Sequence, residues 1–235
     1  MNIKTSKQWD KLSNVFNTHL EKGKVNTDVA DNVEILWPLL LKIIGKPRKG
    51  MLDVLDYGCG CGGFCKVLNS KGFKTTGIDL SSKMIHTAIK NSPKEVEYLI
   101  GDLNLLKDIK GKFNAILATM VMQFIENPES YILALNKILS INGIFVMSVF
   151  NPVFVKECIK LNKAFVNENK INIGSVLLNT YTRTAKDYKS MLVNNGFKFL
   201  SSYYPKFNKA FVQKYKWALP SDISEYLVMV FKKEI

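Results

Sequence analysis

The chain has 235 residues, a length that suits one α/β domain, and 47% hydrophobic against 23% charged residues excludes a wholly disordered protein. Its longest apolar runs fall far short of the ~20 residues that span a bilayer, and its first residues lead into polar sequence rather than a signal peptide, so a cytoplasmic protein is expected. The net charge is +13, concentrated after residue 150, where no acid stands between Asp187 and Asp222 and lysines alternate with aromatic residues.

In chain order, Trp9, Leu12, Phe16 and Leu20 recur at spacings of three and four and predict a helix over 6–20. A second helix is predicted from a cap at Thr27 or Asp28 to about Ile44, kinked at Pro38 and ended by Gly45 and Pro47. Short apolar runs at 51–55, 74–78, 96–100, 113–119 and 143–150 then predict five strands. Helices are predicted between them at 62–70, 81–91 (capped by Ser81 or Ser82) and 129–140. Such alternation implies a parallel, doubly wound sheet with ligands bound beyond the carboxyl ends of its strands. Beyond it come a predicted helix at 152–168, an apolar stretch at 176–183, a helix at 184–194, a strand at 197–204 and a last strand at 225–232, placed at or near the sheet edge. The whole reads as a single domain, 1–235: a helical lid over 1–48, a cofactor-binding core over 51–150, a lid insertion over 151–183, and closing helix and strands over 184–235.

The sharpest chemical signal is Asp56-Tyr57-Gly58-Cys59-Gly60, where Gly58, Gly60 and Gly63 satisfy the G-x-G-x-x-G turn and Asp79 follows about twenty residues later. That spacing alone also fits a dinucleotide. Asp56 separates the two ligands, because a carboxylate beside the turn opposes a pyrophosphate but suits the sulfonium and ammonium groups of S-adenosylmethionine. Asp79 and Asp102 stand at the tips of the next two strands, placed to accept hydrogen bonds from ribose hydroxyls and from an adenine amino group. Strand-end aspartates also cap helices, and that role stays open for each of them. Cys59, Cys61 and Cys65 are bunched but interleaved with the turn and lack a fourth ligand, so no metal is expected.

With these residues in order, the segments Asp56 to Gly60, Gly77-Ile78-Asp79-Leu80-Ser81, Gly101-Asp102-Leu103 and Phe113 to Val121 resemble the successive motifs of class I S-adenosylmethionine-dependent methyltransferases. The resemblance implies a Rossmann-like, mostly parallel seven-stranded sheet with an amino-terminal lid and an insertion after strand five. It implies cofactor contacts at Asp56, Gly58, Gly60, Asp79, Leu80, Asp102, Leu103, Thr119 and Met120, with Trp9 and Phe16 covering the ligand. Met147 to Phe154 and Tyr181-Thr182-Arg183, followed by Tyr188, look like a subgroup acting on small molecules. Where relatives often carry histidines this chain holds Asn151 and Thr182, so no histidine base is carried over. His19, Gln123, Asn151, Tyr181 and Arg183 are catalytic candidates by position. A small-molecule acceptor is expected; the alternative is an RNA or protein methyltransferase that uses the basic, aromatic carboxyl-terminal region. Scarce arginine, and a strand-four end reading Ala118-Thr119-Met120-Val121 in place of an Asn-Pro-Pro type, favour the former.

Overall fold

The computed structural model describes residues 3–17 and 26–234. The strand predictions hold because the core strands are apolar on both faces. β1 (Asp53–Tyr57), β2 (Lys74–Asp79), β3 (Glu97–Ile100), β4 (Phe113–Thr119) and β5 (Leu139–Phe150) lie parallel. They alternate with α3 (Gly63–Ser70), α4 (Ser82–Asn91), α5 (Leu103–Asp108) and α6 (Glu129–Ile138). Leu55, Ile116 and Phe145 pack in one buried cluster while Val54, Leu117 and Val146 pack in another, so successive side chains feed opposite faces of one sheet.

The full order is β3-β2-β1-β4-β5-β10-β9, with β9 at Phe197–Tyr203 and β10 at Tyr226–Lys233. β10 runs antiparallel to both neighbours. This agrees with the expected place at or near the sheet edge: six consecutive residues from Tyr226 to Phe231 are buried, which a strand achieves between two partners, and β9 takes the edge itself. The winding reverses between β1 and β4. At that point the carboxyl ends of two neighbouring strands part and leave a crevice.

Local sequence explains most helix boundaries. Ser81, not Ser82, caps α4, its hydroxyl accepting from Met84 N at 3.1 Å. Asn151 caps α7 (Pro152–Lys160) and Pro152 occupies its first turn, where a missing N–H removes no helical bond. Thr184 and Asp187 form a reciprocal capping box on α8 (Ala185–Val193).

Three predicted helices are shorter or more broken than expected. The first, α1, covers Ile3–Lys11 and passes into turns through Phe16, where Ser13 and Asn14 favour local turn bonding over continued helix; residues 18–20 of the predicted helix lie outside the described residues. The second divides into a short 3₁₀ turn at Thr27–Val29, a π-helical stretch at Asn32–Leu36 and α2 at Trp37–Ile44. Pro38 sits in the first turn of α2, directly after the π-helical stretch, which is where the helix departs from regular α geometry. The predicted 152–168 helix ends at Lys160, after which Asn162 and Ala164 take φ values of 51° and 49°. Phe165 then starts a separate three-stranded antiparallel sheet of β6 (Phe165–Asn167), β7 (Lys170–Ile173) and β8 (Val176–Asn179). α9 (Lys209–Tyr215) precedes β10. Among the described residues no helix is long and apolar enough to cross a membrane.

Candidate functional site

A cavity of about 650 Å³ opens at the switch point. Asp56, Gly58, Gly60, Asp79, Leu80, Asp102, Thr119, Met120 and Gln123 line it beside Trp9 and Phe16. Thus ten of the eleven expected cofactor contacts converge. Leu103 is the exception: it packs in the first turn of α5 against the core, because the chain turns into the helix immediately after Asp102.

The turn after β1 is built for close approach. Gly58 and Gly60 take φ values of 77° and 55°, and a Cβ on Gly58 would stand 2.1 Å from Val121 Cγ2. The amides of Gly58 and Cys59 both donate to Ile78 O, at 2.7 and 3.0 Å, tying the turn to β2. Asp79 completes the tie. Its Oδ2 accepts from Gly60 N and its Oδ1 from Ser81 N, both at 2.8 Å, leaving each oxygen a further lone pair. Burial raises its pKa, and the N–H groups of Ser81, Gly60 and Leu80 pull it back down.

Asp56 is 2% exposed. Its Oδ2 accepts from the Cys65 thiol at 3.4 Å, whereas Oδ1 has no hydrogen-bond partner among the described residues. Burial pushes its pKa up to about 7, eased by the thiol and reinforced by the charge of Asp79. An uncompensated carboxyl aimed at a cavity is what a cationic ligand would satisfy. Asp102 caps α5 through Asn104 N at 3.2 Å and also lines the cavity. Cys61 donates to Ser13 O at 3.4 Å and Cys59 to Gly60 O at 3.7 Å, so with Cys65 turned to Asp56 the three thiols serve separate acceptors.

Asp10 on α1, which no sequence pattern singled out, positions the aromatic cover. It accepts from Ser81 Oγ at 2.6 Å and Lys83 N at 3.1 Å, and Ser6 Oγ donates to Leu80 O at 3.1 Å. These bonds hold α1 on the start of α4. Trp9 there meets Phe16 at 5.9 Å and Phe124 at 4.9 Å between ring centroids. At the tip of β4, Met120 takes φ 56°, an uncommon conformation for a residue with a side chain, fixed by its N–H donating to Ser148 O at 2.9 Å.

The catalytic candidates separate. Gln123 is 2% exposed, lines the cavity, and neither polar atom of its side chain has a partner among the described residues. Asn151 caps α7 and donates to Ser224 O at 2.9 Å. Tyr181 donates its N–H to Gln123 O at 2.7 Å, and Arg183 donates to the carbonyls of Ile125 (3.1 Å) and Glu126 (2.5 Å), so this pair braces the loop behind the cavity rather than facing it. His19 lies outside the described residues.

The far wall, beyond β5, carries residues that sequence reasoning missed. Asp31, just before the π-helical stretch, accepts a hydrogen bond from the Tyr226 hydroxyl. Glu225, 8% exposed, has an Oε2 with no partner among the described residues. Both acids line the cavity with Trp37, Tyr215 and Trp217. Burial raises both pKa values, and the proximity of Asp31 raises Glu225 further. Only the closed sheet brings these distant positions together.

A family model described as a methyltransferase domain matches residues 22–202. The ubiquinone biosynthesis O-methyltransferase of Rickettsia canadensis is 32% identical over 103 residues, covering 43% of this chain and 43% of its own. That of Rickettsia conorii is 27% identical over 144 residues, covering 60% of this chain and 46% of its own. The chain thus spans less than half the length of these curated relatives. Among solved structures, an S-adenosylmethionine-dependent methyltransferase from Mesorhizobium loti aligns at TM-score 0.66 and 20% identity, covering 84% of this chain and 97% of that one. Magnesium protoporphyrin IX methyltransferase from Synechocystis, with SAH bound, aligns at 0.58 and 17%, covering 99% and 95%. At such identities the likeness shows a shared fold. The family match covers more than three quarters of the sequence, and the chain belongs to the methyltransferase-domain family.

Proposed function

We propose that this chain is an S-adenosylmethionine-dependent methyltransferase acting on a small molecule, and that it works as one domain. The observation that carries the reading is the pairing of Asp56, buried with an unpartnered oxygen, with the Asp79-anchored glycine turn on one cavity wall. S-adenosylmethionine supplies an electrophilic methyl carbon on a sulfonium sulfur. The residues present fit it: Asp56 faces the cationic end, Asp79 offers its remaining lone pairs to the ribose hydroxyls, and Asp102 and Leu80 border the adenine. Gly58 and Gly60 permit close approach, and Thr119 and Met120 flank the methionine part. Trp9 and Phe16 form the lid of residues 1–48, and 151–183 acts as a second cover. Reaction at the methyl carbon needs an aligned and desolvated nucleophile. Phe124, Phe150, Phe154, Phe165 and Ile171 supply an apolar wall for it.

A small acceptor is supported by the carboxyl-terminal aromatics. Phe207 and Phe211 are buried against Ala30, so these two rings are packed rather than offered to bases. Calorimetry with S-adenosylhomocysteine tests the cofactor assignment. Asp79→Ala should weaken binding by about 1–3 kcal/mol through lost hydrogen bonds, and Trp9→Ala should weaken it by uncovering the site. Unchanged affinity in Asp79→Ala, or tight binding of NAD instead, refutes the assignment; unchanged affinity in Trp9→Ala reduces α1 to peripheral packing.

A further inference from the structure

The cavity has two acidic ends. One is the Asp56, Asp79 and Asp102 group at the tips of β1 to β3; the other, Asp31 with Glu225, stands where β10 meets β5, past the β4 turn. We propose that Asp31 and Glu225 form a subsite for an organic ammonium group, so that the methyl acceptor is a small amine-bearing molecule held by its cationic nitrogen while another atom of it is methylated. The inference rests on the methyltransferase reading and assigns the class of its acceptor.

Burying two carboxylates side by side is unfavourable by several kcal/mol per ion unless a cation or protons compensate them. Among the described residues no salt bridge reaches either acid. Lys214 is committed to Glu34 at 2.6 Å, and Lys216, on the same cavity, is exposed. Asp31 is held in place by the Tyr226 hydroxyl, while Oε2 of Glu225 accepts from nothing among the described residues. An ammonium group brings two or three N–H donors and a positive charge to this place. It satisfies both acids at once.

Two further observations point to a ligand in this cavity. Gln123, nearly fully buried on the same cavity, has an amide whose oxygen and nitrogen both lack partners among the described residues, and the same holds for the indole N–H of Trp217. Such groups are rarely left so unless something binds them. Trp37, stacked on Phe64 with centroids 5.1 Å apart, Tyr215 and Trp217 add ring faces, which attract organic cations. A phenolate or carboxylate handle would meet two acids instead, and like charges at short range oppose it. A general-base role alone uses one carboxylate and leaves the second opposing it.

The test uses the full chain saturated with S-adenosylhomocysteine and two matched pairs of probes: phenethylamine against phenethyl alcohol, and tryptamine against tryptophol, followed by calorimetry. In the wild type each amine should bind at least about tenfold more tightly than its alcohol. Glu225→Gln, nearly isosteric and uncharged, should bring each pair to near-equal affinity while S-adenosylhomocysteine still binds, which also reports that the variant is folded; Asp31→Asn should narrow the gap in the same direction. Absence of an amine preference in the wild type overturns the inference, as does a preference that survives Glu225→Gln. If S-adenosylhomocysteine binds normally in those failures, the cofactor reading stands and the ammonium subsite alone falls. If S-adenosylhomocysteine does not bind the wild type, both fall.

Discussion

Asp56→Asn removes one titrating group from the site and keeps its shape, and the fold then predicts a gain in stability that depends on pH. Raising a carboxyl from its ordinary 3.8 to about 7 corresponds to about 4 kcal/mol, at about 1.4 kcal/mol per pH unit. The folded chain keeps the Asp56 proton up to about pH 7, while the unfolded chain releases it near pH 4. Across that window the folded state binds more protons, so the stability of the ligand-free wild type declines as pH rises, then levels off. The Asn variant lacks this decline. Asp31 and Glu225 titrate in both proteins, so their contribution cancels in the difference. Urea unfolding of the two proteins at pH 4, 6 and 8 should show nearly equal stability at about pH 4 and a difference approaching about 4 kcal/mol in favour of the variant at about pH 8. A constant difference across that range would sink the argument. A cation seated at Asp56 reverses the balance, because it favours the ionised carboxylate: S-adenosylmethionine binding to the wild type near pH 6 should release more protons than binding to the variant.

Arg183→Lys should lower stability by about 1–3 kcal/mol, since a point charge does not replace a planar donor fork shared among loop carbonyls, with S-adenosylhomocysteine affinity kept; loss of turnover at unchanged urea midpoint would assign Arg183 to the chemistry instead. Changing Lys206, Lys209, Lys214 and Lys216 together to Gln should leave methyl transfer to a small acceptor intact, and any RNA binding by the parent should fade between about 50 and 200 mM salt. Submicromolar RNA binding that persists at the higher salt and disappears in the variant would promote the RNA methyltransferase alternative.

The β1 to β3 side of the site was legible because each of its parts is local. A glycine turn, an acid at a strand tip and a capping serine are adjacent in sequence, and their chemistry restricts the residue types at fixed spacing. Asp31 and Glu225 have no such signature. They meet only because β10 enters antiparallel beside β5, a pairing that no short window contains. Periodicity also misled where two periods share positions: Phe165 fits the helical face that begins at Val153, yet the positive φ of Asn162 and Ala164 turns the chain and gives it to a strand. Asn151, Tyr181 and Arg183 were singled out by position, but a polar side chain near a site can face the backbone as readily as the cavity, as Asn151 and Arg183 do, and Tyr181 does not line the cavity.

The place of β10 bears on the order in which the molecule can be assembled during synthesis. β1 to β5 leave the ribosome first, and with them the glycine turn and the three strand-tip acids, so that end of the crevice belongs to the early part of the chain. β9 emerges before β10 but cannot join the sheet until β10 has filled the gap beside β5, because β10 is its neighbour there. Glu225 therefore reaches the crevice only with the last strands of the sheet to be synthesised, after the glycine turn and the strand-tip acids.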